Sequence, residues 1–291
     1  MRCDLHVHSV HSGMCTLPAL KGLCRESYSP PEAVYNVLRR RGMNLVTLTD
    51  HDSIDGAEAL RSRPDFFLSE EVTCTAPSGA ELHVGVYGIT ERQHLELQRR
   101  RTDLPRFVAY MGEERLFAAV NHPFSALTGR RRADDYEHFR RFRGLEVLNA
   151  HLPRTNNRLA ERLATRESQV AVGGSDAHTV ESAGSAWTEV PGARSPGEYL
   201  AGLRRGRGRV AGRSGTYSKL TRDVLRIAAA LMREKRWTCA LAPLLVAVPL
   251  FTLANLAIEH AFARKWGHLI IEGTAQPEFA TRNLPAEDFV A

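Results

Sequence analysis

The stretch Cys3-Asp4-Leu5-His6-Val7-His8 opens the chain and decides how the rest of it is interpreted. Its run from residue 3 to 7 is short and apolar enough to predict a β-strand. His6 and His8 lie two positions apart, so on a strand both imidazoles point to the same side, where they can chelate one metal ion. One strand cannot complete such a site, so the other ligands must come from elsewhere in the chain.

The same kind of short apolar run recurs through the first two thirds of the sequence. Further strands are predicted at residues 45–48, 66–68 with 72, 82–89, 116–120, 145–148 and 170–172. Helical patterns alternate with them, at 30–42, 90–101, 156–166 and 196–205. Repeated β–α units predict an α/β fold around a mostly parallel sheet or barrel.

The composition is that of an ordinary globular protein. The 291 residues are 43% hydrophobic and 25% charged, which excludes disorder as the main state. The net charge is +6, and only four of the 39 cationic residues are lysines, a bias that we attribute to genome base composition. The arginine runs at 99–101, 130–132 and 204–209 lack interleaved aromatic residues, so a solvated face is favoured over nucleic-acid binding.

Cysteine usage indicates the compartment. The five cysteines form no C-x-x-C pair, and their odd number argues against a complete set of disulfides. The N-terminal residues also lack the apolar core of a signal peptide. We therefore expect a reducing, cytoplasmic environment.

Ionisable residues cluster just past the ends of the predicted strands. They are His6, His8, Asp50, His51, Glu71, His83, His122, Asp176 and His178. In a parallel barrel these positions converge on one face. So many ligands exceed the needs of one tetrahedral ion and indicate two or three divalent ions bridged by a carboxylate. Such a cluster suits the hydrolysis of phosphate esters.

In these motifs the sequence resembles the PHP family, named after polymerase and histidinol phosphatase, over about residues 3 to 180. The family's H-x-H motif is matched by His6 and His8, and its D-H pair by Asp50 and His51. Its bridging glutamate is matched better by Glu71 than by Glu70. Its lone histidines are matched by His83 and His122, and its D-x-H motif by Asp176 and His178.

The resemblance implies a distorted seven-stranded (β/α) barrel with a trinuclear metal site that hydrolyses phosphoesters. The implied metal ligands are His6, His8, His51, Glu71, His83, His122, Asp176 and His178. Many relatives carry an Asp or His five or six residues after the second histidine, where this chain has Gly13 and Met14. His11 is the candidate for that position in the shell of the third ion.

The expected reaction is in-line attack on phosphorus by a hydroxide held between two ions, with Glu71 as the bridge and Asp176 as a proton acceptor. These two residues are the catalytic candidates. Manganese, zinc or iron would suit the ligands. The substrate could be a small phosphate monoester, a nucleotide or an oligonucleotide end. His151 and Arg154 could contact a substrate phosphate or be solvated loop residues. The alternative is a non-catalytic, metal-stabilised scaffold or regulatory module.

The C-terminal part of the chain has a different pattern. We expect a barrel domain at 1–215 and a helical segment at 216–291, which begins with a basic amphipathic helix at 220–237. Residues 238–258 contain no charged side chain and are long enough to span a hydrocarbon core of about 30 Å. Proline at 243 and 249 leaves a packed helical hairpin as the alternative. Cations before the stretch predict anchoring to the cytoplasmic face of a membrane. The oligomeric state stays open.

Overall fold

The computed structural model describes residues 1–16, 20–129 and 131–272. Within these ranges the strands are β1 (Arg2–Cys3), β2 (Ser69–Thr75), β3 (Glu81–Tyr87), β4 (Phe117–Val120), β5 (Gly144–Asn149), β6 (Val170–Gly174), β7 (Ala186–Glu189) and β8 (Arg209–Gly212). The α-helices are α1 (Pro31–Arg40), α2 (Glu91–Arg100), α3 (Leu104–Glu113), α4 (Asp135–Phe139), α5 (Arg154–Arg166), α6 (Pro196–Arg204), α7 (Tyr217–Glu234) and α8 (Val248–Gly267). Arg130 of one arginine run and residues 273–291 of the predicted C-terminal segment lie outside the described residues.

The strands form two sheets, which confirms the predicted α/β class. One sheet has the order β2-β3-β4-β5-β6 and the other the order β1-β7-β8. The larger sheet is mixed rather than mostly parallel, because only β4, β5 and β6 pair in parallel. β2 and β3 are antiparallel. Residues 76–80 join these two strands, and a connection this short cannot hold a crossover helix, so the strands form a hairpin.

Two predicted strands, at 45–48 and 66–68, are extended segments without a ladder of their own. A single bridge joins them, Val46 to Phe66, and further single bridges join His51 to Glu71 and Val7 to Ala177. Side chains take part of the hydrogen bonding here, since the Val7 N–H donates to Thr49 Oγ1 at 2.9 Å. In the described residues no closed ring of paired strands results, so the closed barrel stays a prediction.

Helices cover the sheets through apolar faces. α1 begins with Pro31 at its first turn, and its buried Val34, Val37 and Leu38 pack with Val46. The largest core cluster lies between β2–β5 and the helices, and it includes Phe107, Phe139 and, from α8, Trp266. Each such side chain contributes on the order of 1.5–3 kcal/mol by leaving water.

α8 is fixed to the α/β body by a buried carboxylate. Glu259 accepts hydrogen bonds from Ser125 Oγ at 3.0 Å, from the Ala126 N–H at 3.0 Å and from Asn156 Nδ2 at 2.8 Å. A buried carboxylate is tolerated when its oxygens are satisfied in this way. The C-terminal helix is therefore packed against the loop after β4 and against α5.

α7 is attached by the same kind of contact. Its buried Asp223 accepts hydrogen bonds from Thr179 Oγ1 at 3.0 Å and from Ser182 Oγ at 2.5 Å. A 3₁₀ segment, Arg236–Ala247, leads from α7 to α8. The helical region Arg236–Ile271 is long and apolar enough to cross a membrane by length and composition alone, and an 18-residue window within it has a mean hydropathy of 2.1.

Gly174, at the end of β6, provides a test of how closely this strand packs against the backbone of His6. A Cβ atom at this position would collide with the Cβ and backbone N atoms of His6. We expect Gly174→Ala to lower the free energy of unfolding by about 1–3 kcal/mol through overpacking. Gly197→Ala is the matched control, because nothing lies within 4 Å of the added methyl group. Chemical denaturation measures both, and equal midpoints for the two variants would contradict this packing.

Candidate metal centre

Strand alternation separates the two adjacent glutamates of β2. Glu70 points to α2, where His94 Nδ1 lies 2.9 Å and Gln98 Nε2 lies 2.8 Å from its Oε2 atom. Glu71 therefore points to the opposite side of the sheet, into the protein. The structure thus places Glu71, and not Glu70, among the predicted ligands.

The carboxylate of Glu71 is completely buried and surrounded by imidazoles. Five ring nitrogens lie within 3.5 Å of it: His6 Nε2 at 3.1 Å, His8 Nε2 at 3.4 Å, His51 Nδ1 at 3.4 Å, His83 Nδ1 at 3.5 Å and His122 Nε2 at 3.2 Å. Burial alone would raise the pKa of Glu71, but the imidazoles hold that pKa well below its usual range. The group is therefore a carboxylate that can accept several ligands at once.

The D-x-H motif is brought to this cluster by backbone pairing. The Asp176 N–H donates to the His6 carbonyl at 2.7 Å. Asp176 Oδ1 then lies 3.4 Å from His6 Nε2 and 3.3 Å from His8 Nε2. His178 follows, and its ring centroid is 4.4 Å from that of His8. The first and last motifs of the sequence thus form one site.

His83 reaches the same place because β3 runs antiparallel to its neighbours. It lies near the start of its strand, whereas His122 follows the end of β4. The Asn121 N–H donates to the His83 carbonyl at 2.9 Å, which holds the two segments side by side. Since the strands run in opposite directions, the start of one meets the end of the other.

All eight predicted metal ligands lie in groups of three whose ligand atoms are within 4.8 Å of one another. In the described ranges these groups are His8, His51 and His178; His6, His8 and Glu71; His6, His122 and Asp176; and His51, Glu71 and His83. Several residues belong to two groups. This sharing is the arrangement expected of adjacent ions with common ligands.

Hydrogen bonding leaves ring nitrogens free for an ion. The Ser12 hydroxyl donates to Asp50 Oδ1 at 2.8 Å, so it accepts from His8 Nδ1 at 2.9 Å. His8 then presents an unprotonated Nε2, which is buried without a hydrogen-bond partner. His83 Nδ1, which faces Glu71, is also buried without one. Unsatisfied buried nitrogens are costly, so this donor set fits divalent metal ions.

Glu146 of β5 supports the cluster and was not identified from the sequence. Its carboxylate accepts from His6 Nδ1 at 2.9 Å, from the His122 N–H at 2.9 Å and from Asn149 Nδ2 at 3.0 Å. Such a carboxylate fixes the tautomer and orientation of a ligating histidine. The available signal was a charged residue inside the apolar run 145–148.

Glu26 is the second residue that sequence reasoning missed. Its Oε2 atom lies 3.5 Å from His178 Nε2, and the histidines outweigh the effect of burial and lower the pKa of Glu26 to about 2. His11, the candidate for this part of the site, is exposed and belongs to none of the ligand groups. Glu26 lies in a loop without periodicity, so the sequence offered no signal for it.

The remaining candidates have separate positions. Asp50 lies behind the site and accepts from the Ser9 N–H at 2.6 Å as well as from Ser12, so it positions His8 indirectly. His151 is half-buried, and its ring centroid is 6.2 Å from that of His178. Arg154 is an exposed residue at the start of α5 and does not line the pocket over the cluster.

This pocket has a volume of about 260 Å³. Its floor is the ligand cluster, and Glu26 and His151 are part of its lining. Val224 and Ile227 of α7 form an apolar wall, and Leu127 lies on the rim contributed by the turn after β4. The predicted C-terminal segment therefore contributes directly to the site.

Comparisons with known proteins agree with the motifs. The model of the PHP-associated family matches residues 154–207 and confirms the resemblance to the PHP family. The structure of PsfC from Pseudomonas syringae PB-5123 is similar with a TM-score of 0.55 and 17% identity, covering 80% of this chain and 98% of PsfC. This likeness shows a common fold.

Two further solved structures are more distantly similar. An amidohydrolase from Chromobacterium violaceum with bound sulfate and no metal has a TM-score of 0.48 and 17% identity, covering 71% of this chain and 97% of that one. The lesion-specific endonuclease EndoQ from Pyrococcus furiosus has a TM-score of 0.47 and 15% identity. The similarity covers 72% of this chain and 58% of the endonuclease. No curated protein matches the sequence.

We expect the purified chain to bind at least two divalent ions, because the ligand groups share members and one ion cannot use them all. His6→Ala and Glu71→Ala should each reduce the metal content, since each removes a ligand from two groups. His94→Ala is the control, because His94 contacts Glu70 outside the site. Elemental analysis measures the ratio of metal to protein, and one ion or fewer per wild-type chain would refute the prediction.

Proposed function

We propose that this protein is a metal-dependent phosphoesterase. The observation that carries the proposal is the division of the Glu71 carboxylate between two sets of imidazoles. Its Oε1 atom faces His83 and His122, and its Oε2 atom faces His6, His8 and His51. A carboxylate with both oxygens engaged on different sides is suited to bridge two ions, and two bridged ions are typical of phosphoester hydrolysis.

Divalent ions such as manganese, zinc or iron would supply Lewis acidity and neutralise the charge of the phosphoryl group. The protein supplies the positions. His83 and His122 lie beside Oε1 of Glu71 and His6, His8 and His51 beside Oε2, and Asp176 and His178 complete the cluster. Asn121 Nδ2 donates to Glu71 Oε1 at 2.9 Å, and this hydrogen bond helps to fix the orientation of the carboxylate. We propose that two or three ions bind.

Asp176 is the proposed proton acceptor. Asn149 Nδ2 donates to its Oδ2 atom at 3.0 Å and orients the carboxylate, so that Oδ1 faces His6 and His8. Part of the Asp176 side chain is open to the pocket, with 13% of its surface exposed. A carboxylate that is both oriented and accessible can take a proton from attacking water.

The pocket favours a small substrate. A volume of about 260 Å³ accommodates a phosphate group with a modest organic part, such as a phosphate monoester, a nucleotide or an oligonucleotide end. Arg25 lines the pocket, but its guanidinium is paired with Glu234 at 2.9 Å. With few free cations near the mouth, tracking of a nucleic-acid backbone is not favoured.

The proposal extends to the organisation of the chain. We propose that residues 1–215 form a distorted seven-stranded (β/α) barrel and that residues 216–291 are a C-terminal helical segment. The single bridges from Val7 to Ala177 and from His51 to Glu71 support the barrel. We also propose that the protein is cytoplasmic and acts at the cytoplasmic face of a membrane.

Replacing Glu71 should cost far more activity than replacing His11. Glu71→Gln keeps the shape of the side chain but removes the charge that faces five histidines, so we expect a loss of several orders of magnitude. His11→Ala removes an exposed side chain, and we expect a loss below about tenfold. Steady-state hydrolysis of p-nitrophenyl phosphate, nucleotides and short oligonucleotides by the metal-loaded protein measures both.

Equal losses in the two variants would show that His11 is part of the site. A folded protein that binds metal but hydrolyses none of these compounds would favour the non-catalytic scaffold instead. Thermal unfolding of each variant, followed by circular dichroism, separates a loss of chemistry from a loss of fold.

A further inference from the structure

The helical region after α7 carries a large apolar surface that no described part of the chain covers. We call it the apolar face. It consists of Trp237, Leu241, Leu244, Val246, Leu250, Phe251, Leu253 and Ile258. Val246 is 83% exposed, Phe251 71% and Leu250 69%. Single exposed apolar residues are ordinary, but a contiguous group of large ones marks an interaction site.

The opposite side of α8 packs against the rest of the protein. Glu259, Ala263 and Trp266 are buried there, and Glu259 has hydrogen-bond donors from Ser125, Ala126 and Asn156. A helix that left this position to cross a bilayer would strip the carboxylate of these donors and bring it to the edge of the hydrocarbon core. The structure therefore favours a helix that stays docked and exposes one side.

The charges around the apolar face fit an anionic lipid surface. Between residues 233 and 265 there are two acids: Glu234, whose carboxylate pairs with Arg25 at 2.9 Å, and Glu259, which is buried. Exposed cations stand at both ends: Arg233 and Arg236 before the apolar stretch, Arg264 and Lys265 after it. A symmetric dimer through this face would bring like charges together. Apolar side chains flanked by cations are typical of segments that lie in a membrane interface.

The side of α8 opposite to the apolar face packs against elements that line the pocket. At its start α8 contacts α7, where Thr221 Oγ1 is 2.8 Å from Thr252 Oγ1. Further along, Glu259 holds the turn Ala126–Thr128. α7 and this turn both line the pocket. α8 therefore connects the apolar face to the elements around the site.

We propose that the apolar face binds the surface of a lipid bilayer that contains anionic lipids, with α8 lying in the plane of the interface rather than across the membrane. This goes beyond the phosphoesterase activity, because it assigns a binding surface and a lipid partner. It also specifies how the uncharged stretch 238–258 meets the membrane.

Vesicle flotation of the full chain tests the proposal. We expect binding to phosphatidylcholine vesicles that contain phosphatidylglycerol, and weaker binding to vesicles of phosphatidylcholine alone. The double variant Leu250→Ser with Phe251→Ser should bind at least about tenfold more weakly, because two large apolar contacts are lost. Leu95→Ser is the matched control, since Leu95 is 55% exposed on α2, away from this face.

Each other outcome overturns the proposal. If the wild-type chain does not float with vesicles, the apolar face does not bind lipid. If the wild-type chain is a dimer and the double variant is a monomer, the apolar face binds a second copy of the chain. Hydrolysis of soluble p-nitrophenyl phosphate should be unchanged in the double variant. Loss of flotation with retained hydrolysis in the double variant therefore shows an effect on lipid binding alone. A wild-type chain that floats but hydrolyses none of the substrates would contradict the proposed activity and not the lipid binding.

A labelling experiment decides between lying on the membrane and crossing it. In a Cys239→Ser background the other cysteines are buried, so Arg236→Cys and Arg264→Cys each introduce one exposed thiol. Inverted membrane vesicles from expressing cells are treated with a membrane-impermeant maleimide. We expect both positions to react without detergent. Protection of one position until detergent is added would show a spanning helix and overturn the proposal.

Discussion

The burial of the Glu71 carboxylate among five imidazoles is the constraint on which the rest of the structure depends. A buried carboxylate is expensive unless opposite charges, hydrogen bonds or metal ions compensate it. Its partners come from the segment after β1, the segment after residue 48, β3 and the end of β4, so the chain must bring four distant segments to within 3.5 Å of one group. The arrangement of the sheets follows from this requirement.

A second layer of buried acids holds the histidines in place. Glu146 accepts from His6, and Asp50 acts on His8 through Ser12. Asp4 accepts from the backbone N–H groups of Ser175 at 2.8 Å and Gly184 at 2.7 Å, which fixes the segment that carries Asp176. These bonds use backbone and side-chain groups that would otherwise extend strand ladders. The site is thus ordered at the expense of regular pairing around residues 5–8 and 45–51.

The sequence predicted the positions of the candidate ligands more accurately than the topology of the strands. H-x-H, D-H and D-x-H are local patterns, and the resemblance to the PHP family favoured Glu71 over Glu70, so these positions could be read from the sequence. The antiparallel β2 and β3 hairpin was missed because apolar runs carry no direction. Glu26 was missed because its role depends on a loop that folds back to His178, a contact between residues far apart in sequence. Glu146 had a local signal, a charge within an apolar run, that was not used.

The C-terminal helices show why a division of the chain near residue 215 does not divide the site. Val224 and Ile227 on α7 form a wall of the pocket, and Asp223 beside them is held by Thr179 and Ser182, which directly follow the D-x-H motif. On the other side, Glu259 of α8 holds the turn that follows His122. The predicted metal ligands and the apolar helices are therefore joined by two buried carboxylates. A displacement of either helix would therefore break hydrogen bonds to the segments that carry Asp176 and His122.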